Sequence, residues 1–156
     1  VILRPGYINQ DMLDRVIGPV EMDRGLIAEN SGIRPKAPGM KYRHYAPKAQ
    51  LVIIEGKSAA VVDKINKLIA QGEEKGEEIG VISTDETAAC YRGGIVKSIG
   101  SVRDELTISK HLYGILREFD GLAVTKIYSE SFDTPKMGQA IMNSLMNAAG
   151  HQICKV

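Results

Sequence analysis

The chain has 156 residues, of which 44% are apolar and 25% charged, as expected for one globular domain of modest size. A formal net charge of +1 does not indicate the strongly basic surface that is typical of nucleic-acid binding. The two cysteines are well separated and the three histidines scattered, so we predict neither a disulfide framework nor a bound metal. No apolar run is long enough to cross a bilayer, so no membrane partner is predicted and we expect a cytoplasmic protein.

The first 23 residues predict a short strand followed by one helix. Asn9 is a favourable N-cap and Gly18 a favourable stop, which places the helix at residues 10–17. Four apolar residues recur along one side of this helix: Met12, Leu13, Val16 and Ile17. A helix this short buries its apolar side only against another element, so the stripe should be exposed unless something covers it.

Residues 24–48 predict a linker that begins with many glycine, proline, asparagine and serine residues. Residues 38–47, here called the basic string, read PGMKYRHYAP. Its prolines fix the backbone and remove hydrogen-bond donors, which favours an ordered loop. Its cations offer charge-assisted donors to phosphate or carboxylate, and its tyrosines offer flat faces and hydroxyls. The pattern predicts a lid over a ligand, although a solvated linker with packed tyrosines has the same composition.

From residue 51 onward, apolar runs alternate with helical patterns. Strands are predicted at residues 51–54, 79–82, 95–99 and 122–128. Helices are predicted at residues 58–69, 86–90, 104–119 and 136–149, the first with Ser58 as its cap. Continuously apolar strands indicate a parallel sheet covered on both faces. The predicted fold class is α/β: a small Rossmann-like three-layer domain with a mostly parallel sheet, preceded by a strand–helix segment and an extended linker.

Turns at the carboxyl ends of the predicted strands are candidate anion sites, because parallel sheets bind ligands there. These turns are residues 55–58, 83–85, 100–103 and 129–131. The run from Gly56 to Ser58 does not complete a phosphate loop, because Leu51 stands where the first glycine is required. Ordinary helix capping explains such turns as well as a nucleotide site does. His111 is expected at the surface, and no acid–base pair is evident.

The basic string closely resembles the linker of the two-domain L-threonylcarbamoyladenylate synthases, in which a YrdC-like catalytic domain precedes a small C-terminal domain. Residues 1–8, VILRPGYI, are similar to the final strand and turn of that catalytic domain. Residues 137–149 resemble the closing helix of the family, with Ser144 where arginine is frequent. The implied parts are residues 1–23 as the end of the catalytic domain, 24–48 as linker and lid, and 49–156 as the C-terminal domain.

The resemblance also implies an activity. These nucleotidyltransferases use ATP with Mg²⁺, L-threonine and bicarbonate to form threonylcarbamoyl-AMP for a tRNA modification, which makes tRNA-modification proteins implied partners. The implied substrate- and nucleotide-binding residues are Arg4, Lys41, Tyr42, Arg43, His44 and Tyr45. The main catalytic residues of the family precede the segment that matches residues 1–8, so the 156 residues alone are expected to be inactive and to bind no metal.

A second class of function stays open on the sequence. The Rossmann-like part could be a non-catalytic module that binds a nucleotide, tRNA or a protein, with the basic string assisting. A pyrophosphate assay with threonine and bicarbonate would separate the two classes.

Overall fold

The computed structural model describes residues 1–3, 6, 8–23, 46–132 and 138–156. Its centre is a five-stranded, all-parallel sheet, which confirms the predicted α/β fold. The strands are β1 (Gln50–Glu55), β2 (Ile79–Ser83), β3 (Ile95–Ser98), β4 (Lys126–Glu130) and β5 (Ile153–Lys155). Their order across the sheet is β3-β2-β4-β1-β5, so β4 lies between the first two strands of the chain.

Helices cover both faces of this sheet. They are α2 (Ser58–Glu74), α3 (Glu105–Asp120) and α4 (Gly138–Ala149), and Ala88–Cys90 forms one 3₁₀ turn. Successive strand residues point to opposite faces, so Ile53 packs with α3 and α4 whereas Ile54 packs with α2. The two resulting cores, one on each face, give the three layers that continuously apolar strands predict.

Three details of the sequence prediction were wrong. Leu122, placed in the fourth strand, is 41% exposed in a turn, and β4 begins only at Lys126. The three-residue strand β5 was missed, because so short a run carries no periodicity. Ser58 is the first residue of α2 rather than its cap, and the capping position is Lys57, whose side chain makes no capping bond to the described residues.

The N-terminal segment contains the predicted helix, α1 (Gln10–Ile17). The Asn9 side chain accepts a hydrogen bond from the Met12 N–H at 2.9 Å, and Gly18 ends the helix with a φ of 82°. A parallel bridge joins Ile2 to Met22 beside it. Within the described residues α1 has no buried side chain, and Val16 is 82% exposed.

Candidate functional site

The six residues predicted to bind substrate lie outside the described residues. These are Arg4, Lys41, Tyr42, Arg43, His44 and Tyr45. The structure does describe the residues just before the predicted linker and the last residues within it. Before it, Asp23 is 4% exposed and donates its N–H to the Ile2 carbonyl at 2.9 Å. At its end, Pro47 is buried and the Lys48 N–H donates to Asp120 Oδ1 at 2.7 Å. The backbone is therefore fixed where the linker is predicted to begin and to end.

The carboxyl edge of the sheet contains the candidate turns of the C-terminal part. The segment after β2 contributes Tyr91 to the core on the α2 face, whereas α4, which follows β4, packs on the opposite face. Neighbouring strands with exits on opposite faces create the crevice in which open α/β sheets bind ligands. Glu130, the last residue of β4, lies at this place in the fold.

Glu130 is the centre of a buried hydrogen-bonded cluster. Its side chain is 8% exposed, and its Oε1 accepts hydrogen bonds from both Thr87 Oγ1 and Tyr91 Oη at 2.5 Å. Thr84 Oγ1 lies 3.0 Å from Thr87 Oγ1 and extends the cluster to the end of β2. The contacts tie the end of β4 to residues 84–91, and we call this group the Glu130 clamp.

Burial controls the protonation of the clamp. It raises the pKa of the Glu130 carboxyl above its ordinary value, and the hydrogen bonds from Thr87 and Tyr91 lower it by a smaller amount. Burial also raises the pKa of the Tyr91 hydroxyl, and the adjacent Glu130 adds to that rise. Tyr91 therefore stays a neutral donor at physiological pH. With Oε1 bonded to two hydroxyls, the carboxyl is suited to holding the edge together rather than to taking a proton from a substrate.

The other turns at this edge also bond internally. Ser98 Oγ donates to Asp85 Oδ1 at 2.6 Å, and Ser101 Oγ donates to Glu86 at 2.5 Å. At Gly56 an added Cβ would lie 2.5 Å from the Val156 carbonyl oxygen, so the end of the chain fills the space beside this turn. The contacts at these turns therefore favour internal hydrogen bonding over a phosphate loop.

Sequence reasoning found part of this edge. It named the turn that contains Glu130 but not Thr87 or Tyr91, because their contacts with Glu130 cross about 40 positions of the chain. It placed His111 correctly at the surface of α3. It missed the cavity beside that helix.

The described residues contain no group of three metal-ligating side chains. Among these same residues, no helix is long and apolar enough to cross a membrane.

Together the fold and the backbone bonds of Asp23 and Lys48 define a class of protein: a Rossmann-like α/β domain that follows a predicted basic linker. The chain belongs to the family described as threonylcarbamoyl-AMP synthase, C-terminal domain, whose model matches residues 8–150. The resemblance of the basic string to that family is confirmed.

Relatives agree with this assignment. The threonylcarbamoyl-AMP synthase of Bacillus subtilis is 42% identical over 99% of this chain and 43% of its own length. A crystal structure of Pyrococcus abyssi Sua5 complexed with L-threonine is 34% identical and matches with a TM-score of 0.83, over 99% of this chain and 43% of that one. A P. abyssi Sua5 variant with a consecutive His–Tyr pair replaced by alanine matches with a TM-score of 0.84 and 33% identity, over 99% of this chain and 42% of that one. The chain spans less than half the length of each.

Proposed function

We propose that this chain is the C-terminal part of an L-threonylcarbamoyladenylate synthase, in which it supplies a substrate lid and an accessory domain. The observation that carries the proposal is the family match over residues 8–150, which includes the whole basic string. The L-threonine in the P. abyssi structure supports threonine as the amino-acid substrate. ATP, brought with Mg²⁺, and bicarbonate complete the proposed substrate set, and the product serves tRNA modification in the cytoplasm.

The proposed chemistry sets requirements that the basic string meets. Threonine carbamate attacks the α-phosphorus of ATP, a new P–O bond forms, and the bond to the leaving pyrophosphate breaks. Cations must hold the phosphates while negative charge shifts to pyrophosphate, and water must be kept from the labile mixed anhydride. In this proposal Arg4, Lys41 and Arg43 supply positive charge, and the tyrosines close the site.

His44 and Tyr45 form the one consecutive His–Tyr pair in this sequence. In the P. abyssi variant a consecutive His–Tyr pair of that relative is replaced by alanine. We assign the pair in this chain, with Tyr42, to the closing surface of the lid.

The described contacts support a mechanical role for the C-terminal domain. Pro47, the last residue of the basic string, is buried, and the Lys48 N–H is bonded to Asp120 of α3, so the domain fixes the end of the string. Every buried polar side-chain atom of the described residues has a hydrogen-bond partner. The domain is therefore proposed as a support for the lid, with the reactive groups located in the catalytic domain. We also propose tRNA-modification proteins as partners of the parent protein, which the family resemblance implies.

The decisive experiment measures pyrophosphate release that depends on both threonine and bicarbonate. The proposal expects activity in the parent protein with its catalytic domain and none in the 156-residue chain alone. Turnover by the isolated chain would contradict the accessory role proposed for it. A parent protein that binds its partners without making the adenylate would favour the binding-module alternative.

Variants of the lid test the assigned residues in the parent protein. Arg43→Ala or Tyr45→Ala should reduce synthesis roughly tenfold to hundredfold, because a hydrogen bond to a charged group contributes about 1.5–3 kcal/mol. Arg92→Ala is the matched control, since Arg92 is exposed on the C-terminal domain and its hydrogen bond to Asn66 uses the backbone N–H. Equal kinetics in all variants would show that the string is a plain linker.

A further inference from the structure

An open cavity of about 360 Å³ lies between the edge strand β3 and helix α3. It is on the α3 face of the sheet and is distinct from the Glu130 clamp on the α2 face. Residues of the strand form one wall, helix residues form the other, and Ile115 is buried at its base. The lining residues are Lys97, Ser98, Lys110, His111, Gly114, Ile115 and Glu118.

Gly114 is the first observation that supports a binding role for this cavity. It lies in the middle of α3, where glycine costs about 0.5–1 kcal/mol relative to alanine. Its backbone does not require glycine, because its φ is not positive and an added Cβ would meet no described heavy atom within 4 Å. A larger side chain at this position would fill the cavity. Glycine therefore keeps the cavity open at some cost to helix stability.

The charges around the cavity are the second observation. Lys97 Nζ lies 2.7 Å from Glu118 Oε2 and 5.8 Å from the centre of the Phe119 ring, so the ammonium group is held at the strand wall. Lys110 and His111 project from the helix wall. Asp104, which caps the same helix, acts on both through its charge, and its Oδ2 accepts the Thr107 hydroxyl. The cavity is thus lined by two lysines and a histidine and by one carboxylate, that of Glu118.

We propose that this cavity binds a small phosphate-bearing anion. The volume falls within the range of small-molecule sites, and lysine binds phosphate as a point charge. The net charge of +1 lacks the broad basic stripe that a nucleic-acid backbone needs, which favours a small ligand. Glu118 forms an ion pair with Lys97, and in this proposal the anion replaces Glu118 as the partner of this lysine.

The test titrates the 156-residue chain with inorganic phosphate and with tripolyphosphate, while NMR follows backbone amides residue by residue. Saturable shifts are expected at Lys97 and along the helix wall. Site-resolved detection separates this cavity from any anion binding at the basic string, so the result does not depend on the proposed enzymatic function. A larger response to tripolyphosphate would identify a polyphosphate-bearing ligand, and equal responses a single phosphate group.

Three variants give three different expectations. Lys110→Gln should weaken binding about tenfold or more, as expected for one lost charge-assisted contact. Gly114→Leu should abolish binding by filling the cavity. Glu118→Gln should tighten binding, because Lys97 is then released from its internal partner.

Matched controls keep the outcomes interpretable. Glu77→Gln makes the same charge change at another strand lysine, Lys126, which lies 2.9 Å from Glu77, and Lys67→Gln removes an exposed cation of α2. Both should bind like the unaltered chain. Gly114→Ala should fold and shows that position 114 tolerates a side chain. Shifts located elsewhere, no saturation at millimolar anion, or equal affinities in all variants would overturn the proposal.

Discussion

The N-terminal segment and the C-terminal domain contain the same sequence signal with opposite structural outcomes. Helix α1 and helix α3 each have an apolar stripe at helical spacing. In α3 the stripe is buried, and Leu112 is 1% exposed. In α1, Val16 and Ile17 are 82% and 68% exposed among the described residues.

The difference shows that periodicity identifies the apolar side of a helix but not what covers it. α3 is long and has the sheet beneath it, so its stripe enters a core that strands from distant parts of the chain complete. α1 has eight residues and is held by its caps. The proposed function places a catalytic domain in the parent protein, and we expect the apolar stripe of α1 to pack on that domain.

The largest effect that separates the two regions is expected from the core on the α3 face. Phe119 is 1% exposed, and its ring fills the space where a side chain at Gly80 would lie. Phe119→Ala should lower the free energy of unfolding by about 3–5 kcal/mol, through lost transfer energy and the cavity left behind. Urea denaturation of the 156-residue chain measures this. A loss below about 1 kcal/mol would mean that the core repacks around the gap.

The Glu130 clamp should show the next largest effect. Tyr91→Phe removes one of the two hydroxyls that bond to Glu130 Oε1 and should cost about 1.5–3 kcal/mol. Tyr128→Phe, in the same core on the α2 face, is a comparison for removing a tyrosine hydroxyl outside the clamp. Equal stability of Tyr91→Phe and the unaltered chain would show that the bond to Glu130 contributes nothing net.

The clamp also predicts a pH dependence. Burial raises the pKa of Glu130 in the folded state, so the folded chain keeps this proton to higher pH than the unfolded chain does. The stability from the protonated group is fully present below the ordinary glutamate value of about 4.3 and is lost as pH rises through the raised value. In Glu130→Gln the side chain does not ionise, so this pH-dependent loss of stability should be absent.

Denaturation across the acidic to neutral range tests this dependence. As pH rises, the free energy of unfolding of the unaltered chain should fall relative to that of Glu130→Gln. The exposed Glu74→Gln serves as the control for a carboxylate outside the clamp. The raised pKa would be contradicted if this difference in free energy stayed constant with pH, or if the unaltered chain became relatively more stable as pH rises.

The smallest effect is expected at α1. Val16→Ser should change the stability of the 156-residue chain by less than about 0.5 kcal/mol, because the side chain is already 82% exposed. In the parent protein the same variant should be clearly more destabilising if the stripe packs on the catalytic domain. Equal and negligible effects in both proteins would remove that expected contact.

The sequence by itself determined most of the elements of this protein. Continuous apolar runs located β1, β2 and β3, helical spacing located α1, α2 and α3, and the residues at Asn9 and Gly18 set the ends of α1. These features depend on neighbouring residues, which is why local patterns are sufficient. The basic string likewise indicated the family from the sequence alone, and the family match confirmed it.

The tertiary structure decided what local patterns do not contain. Strand β4 inserts between β1 and β2, and β5 is a strand only because Ile153 pairs with Ile53 across the chain. The Glu130 clamp joins groups about 40 positions apart, and the cavity beside α3 depends on a strand lysine meeting a helix glycine. Burial, shared hydrogen bonds and cavities are properties of groups brought together by folding, so only the folded arrangement fixes them.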